Sequence, residues 1–100
     1  MVDMLENGKM EKLREDTLNI LDLLIKEEVT RNDVDSWVLS LDKQYGTDLL
    51  DKLRVEHLAL SELIDALGLV TTPGDQSEWL YDRDDFQSWL DDYNSEISNN

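Results

Sequence analysis

The sequence predicts an all-α fold: a compact bundle of about four helices with one long irregular connection before the last. Three observations carry this expectation. Apolar residues recur at three-and-four spacing along most of the chain, as in amphipathic helices. Helix start and stop signals fall at Thr30, Gly46 and Gly68. The 100 residues, 40% of them hydrophobic, suffice for one domain, 1–100, with a modest core, and are too apolar for a disordered acidic tail.

The first helix is read from Met10, Leu13, Thr17, Ile20 and Leu24, a stripe that Leu18, Leu21 and Ile25 widen. Its start is open between Lys9 and Asp3, because Asn7-Gly8 could cap the helix or lie within it. In the second, Thr30 is the N-cap, Asp33 stands at the third helical position, and Val29 and Val34 are placed to form a hydrophobic staple. Val34, Trp37, Val38, Leu41 and Tyr45 face inward, and Gly46 is read as a left-handed stop. A third helix runs from Thr47 or Asp48 to Leu67, with Leu50, Leu53, His57, Leu60, Ile64 and Leu67 on its seam, a bend near Arg54-Val55 and a stop at Gly68. The connection from Leu69 to Tyr81 carries a turn signal at Pro73-Gly74 and is long for a small bundle, which marks it as a candidate contact region. The last helix starts at Asp82 and turns Phe86, Trp89, Leu90 and Tyr93 inward, with fraying expected from Ser95.

A short repeat links two of these starts. Val29 to Val38 and Tyr81 to Leu90 share Arg, Asp, Ser and Trp at matching places. An oxygen-bearing cap, a first-turn acid and a staple at each start account for the match, and duplication of a two-helix unit is the alternative.

Little in the chain points to catalysis. His57 is the single histidine, and on the third helix's apolar seam it reads as a packed core residue without a site role. Cysteine is absent, which excludes disulfides and thiolate chemistry and fits a reducing interior. Neither phosphate-loop motif occurs, and no basic patch offers itself to nucleic acid. The acid pairs lack the glycine and glutamate placement of an EF-hand loop, so no metal or other cofactor is expected, and no catalytic residue is assigned. The start has no signal-peptide pattern and no stretch is apolar enough to span a membrane, which makes the cytoplasm the expected location.

Charge is the distinguishing property. Against 24 acids stand 9 lysines and arginines, a formal net charge of -15. The imbalance grows along the chain, from 13 acids and 8 bases through Arg54 to 11 acids and the single base Arg83 from Val55 onward. On the last helix Asp84 and Asp91 fall on one line and Asp85, Asp92 and Glu96 on its neighbour, with no lysine among them. Uncompensated like charges destabilise a helix, which suggests a use elsewhere. Asp75, Glu78 and Asp82 extend the patch, and Trp79 and Tyr81 lie within it in sequence. Aromatic residues among acids have the composition of an interface hot spot facing a basic protein. Covering the edge of the core is the competing role for both rings, and Tyr81 also fits a staple position.

Glu78-Trp-Leu-Tyr81, Asp84-Asp-Phe86 and Trp89-Leu-Asp91, together with Arg31, Val34 and Trp37, resemble a group of small acidic bacterial proteins whose members are similar to immunity proteins, the antidotes found beside bacterial toxins. The resemblance covers Val29 to Leu41 and Trp79 to Tyr93. The Tyr-Tyr-Pro motif of colicin-nuclease immunity proteins is absent, so their binding residues do not transfer. The resemblance implies an antidote that covers a basic toxin, for example a nuclease, at its active or nucleic-acid-binding surface. A DNA mimic that regulates nucleic-acid-binding proteins, and a structural subunit whose acidity serves solubility, are the alternatives. A monomer is the simpler expectation for the helical seams.

Overall fold

A computed structural model describes residues 2–74 and 79–98, with side chains over 8–74 and 79–97. Five helices follow one another: α1 Val2–Ile25, α2 Arg31–Tyr45, α3 Thr47–Glu56, α4 Leu58–Leu67 and α5 Arg83–Ser98. No strand occurs among the described residues. Every helix contributes to one buried cluster, with Leu13, Leu21, Val34, Leu67 and Val70 at its most enclosed positions. Helix α5 packs on α1 and α4, and α2 closes the other side against α1, α3 and α4.

Helix α1 begins before both sequence-predicted starts, and Gly8 is an exposed residue inside it. Thr17 fits the core because its hydroxyl donates to the Leu13 carbonyl oxygen at 2.6 Å, so a fully buried hydroxyl keeps a partner. The end of α1 is a Schellman motif without glycine. Glu28 N–H bonds the Leu23 carbonyl oxygen at 2.8 Å and Glu27 N–H that of Leu24 at 3.1 Å, which sets Glu27 at φ 62°.

Both halves of the Thr30 capping box form: Asp33 N–H donates to Thr30 Oγ1 at 3.1 Å, and Thr30 N–H to Asp33 Oδ2 at 2.9 Å. Those bonds hold the Asp33 carboxyl below the usual carboxylate range. Gly46 ends α2 and opens α3, yet its φ of 86° and ψ of 152° lie in the extended positive-φ region and not in the left-handed helical one expected. That region is essentially reserved for glycine.

The predicted third helix is two helices. The backbone leaves the helical region at His57, with φ -134° and ψ 61°, two to three residues beyond the expected bend. Hydrogen bonding persists on both sides, from His57 N–H to the Leu53 carbonyl oxygen at 2.8 Å and from Ser61 N–H to that of His57 at 3.0 Å. His57 is therefore exposed at a joint instead of packed in the core, because the helical period cannot be carried across a residue outside the helical region. Leu49 takes a core place that the periodic reading had passed over. Gly68 closes α4 where a stop was expected, in ordinary right-handed geometry, φ -67° and ψ -10°. Its missing Cβ suits close packing: one placed there would meet the Asp65 carbonyl oxygen at 3.3 Å and Val38 at 3.7 Å.

The described parts of the connection before α5 are hydrogen-bonded to each other. Successive turns carry the chain to Thr72, Leu80 N–H returns to the Thr72 carbonyl oxygen at 3.0 Å, and Pro73 and Trp79 form an antiparallel bridge. Helix α5 continues through Ser98, past the predicted fraying at Ser95.

Candidate protein-binding surface

Asp82 builds the start of α5. Its Oδ1 accepts the N–H groups of Asp84 at 3.0 Å and Asp85 at 3.2 Å, while Asp82 N–H donates to Asp85 Oδ2 at 2.9 Å. This is the same reciprocal cap as Thr30 with Asp33, so matching capping chemistry explains the matching letters of the two helix starts. Asp82 and Asp85 thereby act as structural acids.

The remaining acids of α5 are directed by helical geometry. Asp84 and Asp91 lie on the line opposite Phe86 and Tyr93, the buried residues, and both are exposed. Asp91 accepts a bond from Gln87 Nε2 at 3.2 Å, a neutral partner that leaves its charge uncompensated. Asp92 and Glu96 are exposed on the flank turned toward α4, where Glu62 is exposed as well, and Asp65 is exposed elsewhere on α4. Neither helix contains a lysine, and Arg83 at the first position of α5 is the single base of the two.

On α1 and α3 several carboxylates have a basic partner within a turn. On α1, Lys12 meets Asp16 at 3.2 Å, Lys26 meets Asp22 at 2.9 Å and Arg14 meets Glu11; on α3, Lys52 meets Glu56 at 3.8 Å. The charge gradient of the sequence is thus a division of the surface, with mixed signs on α1 and α3 and one sign on α4 and the outer faces of α5.

Trp79 packs against a base. The Arg31 guanidinium lies 5.1 Å from the Trp79 ring centroid and 4.9 Å from that of Phe86, and its Nη1 donates to the Val70 carbonyl oxygen at 2.8 Å. Burial lowers the Arg31 pKa, and nearby Asp82 opposes that shift. With Arg31, Asn32 and Arg83, Trp79 borders a hollow of about 330 Å³ beside the α2 N-terminus. The bridge to Pro73 sets the ring toward α2. Tyr81 lies at the core edge: its ring meets Trp89 at 5.2 Å, inclined at 63°, and Trp89 meets Phe86 at 5.3 Å. Asp75 and Glu78 lie outside the described residues.

Of the sequence-predicted site, then, Asp84, Asp91, Asp92 and Glu96 share the outer surface of α5. Asp82 and Asp85 cap it, Trp79 packs on Arg31 and Tyr81 on Trp89. What the periodic reading missed is a depression next to these acids. At the His57 joint, Val55, Leu58 and Ile97 are 83%, 59% and 42% exposed and border a cleft of about 550 Å³. Glu11, Glu56 and Glu96 stand on its rim together with Arg14. A smaller hollow of about 150 Å³ lies next to it between α4 and α5, sharing Ala59, Tyr93 and Glu96. Burial raises the Tyr93 hydroxyl pKa at the base of the cleft, and the Arg14 guanidinium opposes that shift.

No family model, curated protein or solved structure matches this chain. The function must therefore be argued from the surface. Among the described residues no group of three or more His, Asp or Glu is placed to hold a metal ion, and no helix is long and apolar enough to cross a membrane.

Proposed function

We propose that this protein is an acidic protein-binding module that covers a basic surface of a partner protein, acting as an antidote of the immunity type toward a basic toxin such as a nuclease. The observation that carries the reading is the single-sign surface of α4 and α5, where Glu62, Asp65, Asp84, Asp91, Asp92 and Glu96 are exposed and neither helix has a lysine. Such a surface weakens the folded state through self-repulsion and accelerates capture of a positively charged partner. A nucleic-acid groove is the natural target, because it is basic and concave and blocking it abolishes activity. The reading assigns no catalytic residue and requires no cofactor.

Affinity capture from the source cells at low salt tests it, with wild type and an Asp84→Asn, Asp91→Asn, Asp92→Asn, Glu96→Gln variant as parallel baits. The reading predicts a basic protein retained by wild type, eluted by salt and lost from the variant, whose purified activity is inhibited when wild type is added back. Equal retention by both baits, or a bound protein whose activity is unchanged, contradicts it.

A further inference from the structure

The cleft at the His57 joint and the hollow between α4 and α5 lie side by side, sharing Ala59, Tyr93 and Glu96, and together make an α4–α5 groove. Along α4 it extends from Leu58 to Ala66, about 12 Å at 1.5 Å per residue, or roughly two turns of a helix laid in it. Ala59 and Ala66 leave space between the helices, and Leu63 and Trp89 line the hollow. Val55, Leu58 and Ile97 gather at the wide end, and exposed apolar side chains grouped in a concavity mark a contact site more often than scattered ones do.

The charge on the rim selects the occupant. Glu62 stands on the α4 side, Asp92 and Glu96 on the α5 side, and Glu11 and Glu56 at the wide end. Arg14 is the single arginine or lysine among the lining residues, and it is already paired with Glu11. A second copy of this chain would bring another net charge of -15 against the rim, which disfavours self-association. An apolar groove between acidic banks fits an amphipathic helix with leucine-like residues on one face and lysine or arginine on its flanks.

We propose that the α4–α5 groove, with its wide end at the His57 joint, is a docking site for a basic amphipathic helix of the partner protein. The apolar residues of that helix seat at Val55, Leu58 and Ile97, and its basic residues meet Glu62, Asp92 and Glu96. This rests on the acidic-surface reading above and adds a seat that gives the contact register and specificity, where charge alone gives attraction.

The probe is a 14-residue Leu/Lys peptide patterned as an amphipathic helix, compared with a scrambled peptide of identical composition, each titrated at 50 mM salt into protein with labelled methyl groups. The expected result is at least tenfold tighter binding of the patterned peptide, with the largest shifts at Val55, Leu58, Leu63 and Ile97. A Val55→Ser, Leu58→Ser variant, which alters only exposed side chains, should lose that tenfold preference, and a Glu62→Gln, Asp92→Asn, Glu96→Gln variant should bind both peptides more weakly. Equal affinity of the two peptides, with unchanged cleft methyl signals, overturns the groove and leaves the charge reading standing. Absence of binding by either peptide overturns both. Preferential binding that survives the serine variant with shifts confined to the Trp79 hollow overturns the groove as the seat.

Discussion

At the scale of single residues, two backbone positions and one hydroxyl carry sharp expectations. Gly46 holds φ 86° and ψ 152° with no atom within 4 Å of where a Cβ would lie, so Gly46→Ala tests backbone strain without a packing change. Such strain is worth about 1–3 kcal/mol, and denaturant unfolding should show a loss of that size. Glu27 is the opposite case, a side-chain-bearing residue at φ 62° in a position that favours glycine. Glu27→Gly should raise stability by about 1 kcal/mol through relief of the left-handed strain, net of the extra freedom glycine has when unfolded. Tyr45 is buried and its hydroxyl donates to Asp16 Oδ2 at 3.2 Å; burial first, then the Asp16 charge, pushes its pKa up to about 12. The unfolded chain releases that proton near pH 10, so the folded state binds more protons between about pH 10 and 12 and stability must fall as pH rises through that window. Tyr45→Phe should flatten the fall in a pH series of unfolding midpoints. Such residue-level facts were unevenly legible. Thr30 and Asp33 follow a local pattern that reads directly from sequence, whereas the φ of Glu27 follows from how α1 terminates, for which no glycine gave notice.

At the scale of elements, the caps decide where helices begin. Thr30→Ala removes the oxygen that holds Asp33 N–H and should cost about 1 kcal/mol, with a comparable loss from Asp82→Ala at α5. Asp82→Asn should retain most of that stability, because its side-chain oxygen still accepts, and thermal melts of the three variants make the comparison. Helices α1, α2 and α5 were legible because each has an uninterrupted apolar stripe, and for α2 and α5 an oxygen-bearing cap at the start as well. The division of α3 from α4 was not, since Leu53, His57 and Leu60 keep helical spacing straight through a residue that is not helical. Periodicity reports which residues would share a face if the backbone continued, and it is silent on whether it does. The place of Trp79 was hidden for a related reason: Arg31, which lies over its ring, comes from α2 and lies over Phe86 of α5 as well. The shared Arg at the first position of α2 and α5 was the one sequence hint toward it.

At the scale of the whole molecule, the net charge of -15 divides between a part of mixed sign, with ion pairs on α1 and α3, and the acidic outer faces of α4 and α5. The acidic half of the candidate surface was visible in sequence because like charges at helical spacing must line up on one helix. The groove beside it was not, because it needs the α3–α4 joint and the C-terminal turns of α5 to meet, a tertiary fact. Self-repulsion on this face implies that added salt should stabilise the free protein, and that the four-carboxylate variant should be at least as stable as wild type with a weaker response to salt. The most direct test of the account is stopped-flow association of a basic amphipathic Leu/Lys peptide with wild type and with the Asp84→Asn, Asp91→Asn, Asp92→Asn, Glu96→Gln variant, from about 20 to 500 mM salt. An acidic capture surface predicts association at least tenfold faster for wild type at the lowest salt, with the two rates converging as salt screens the charges. Equal rates for the two proteins at low salt, with the same salt dependence, would contradict it.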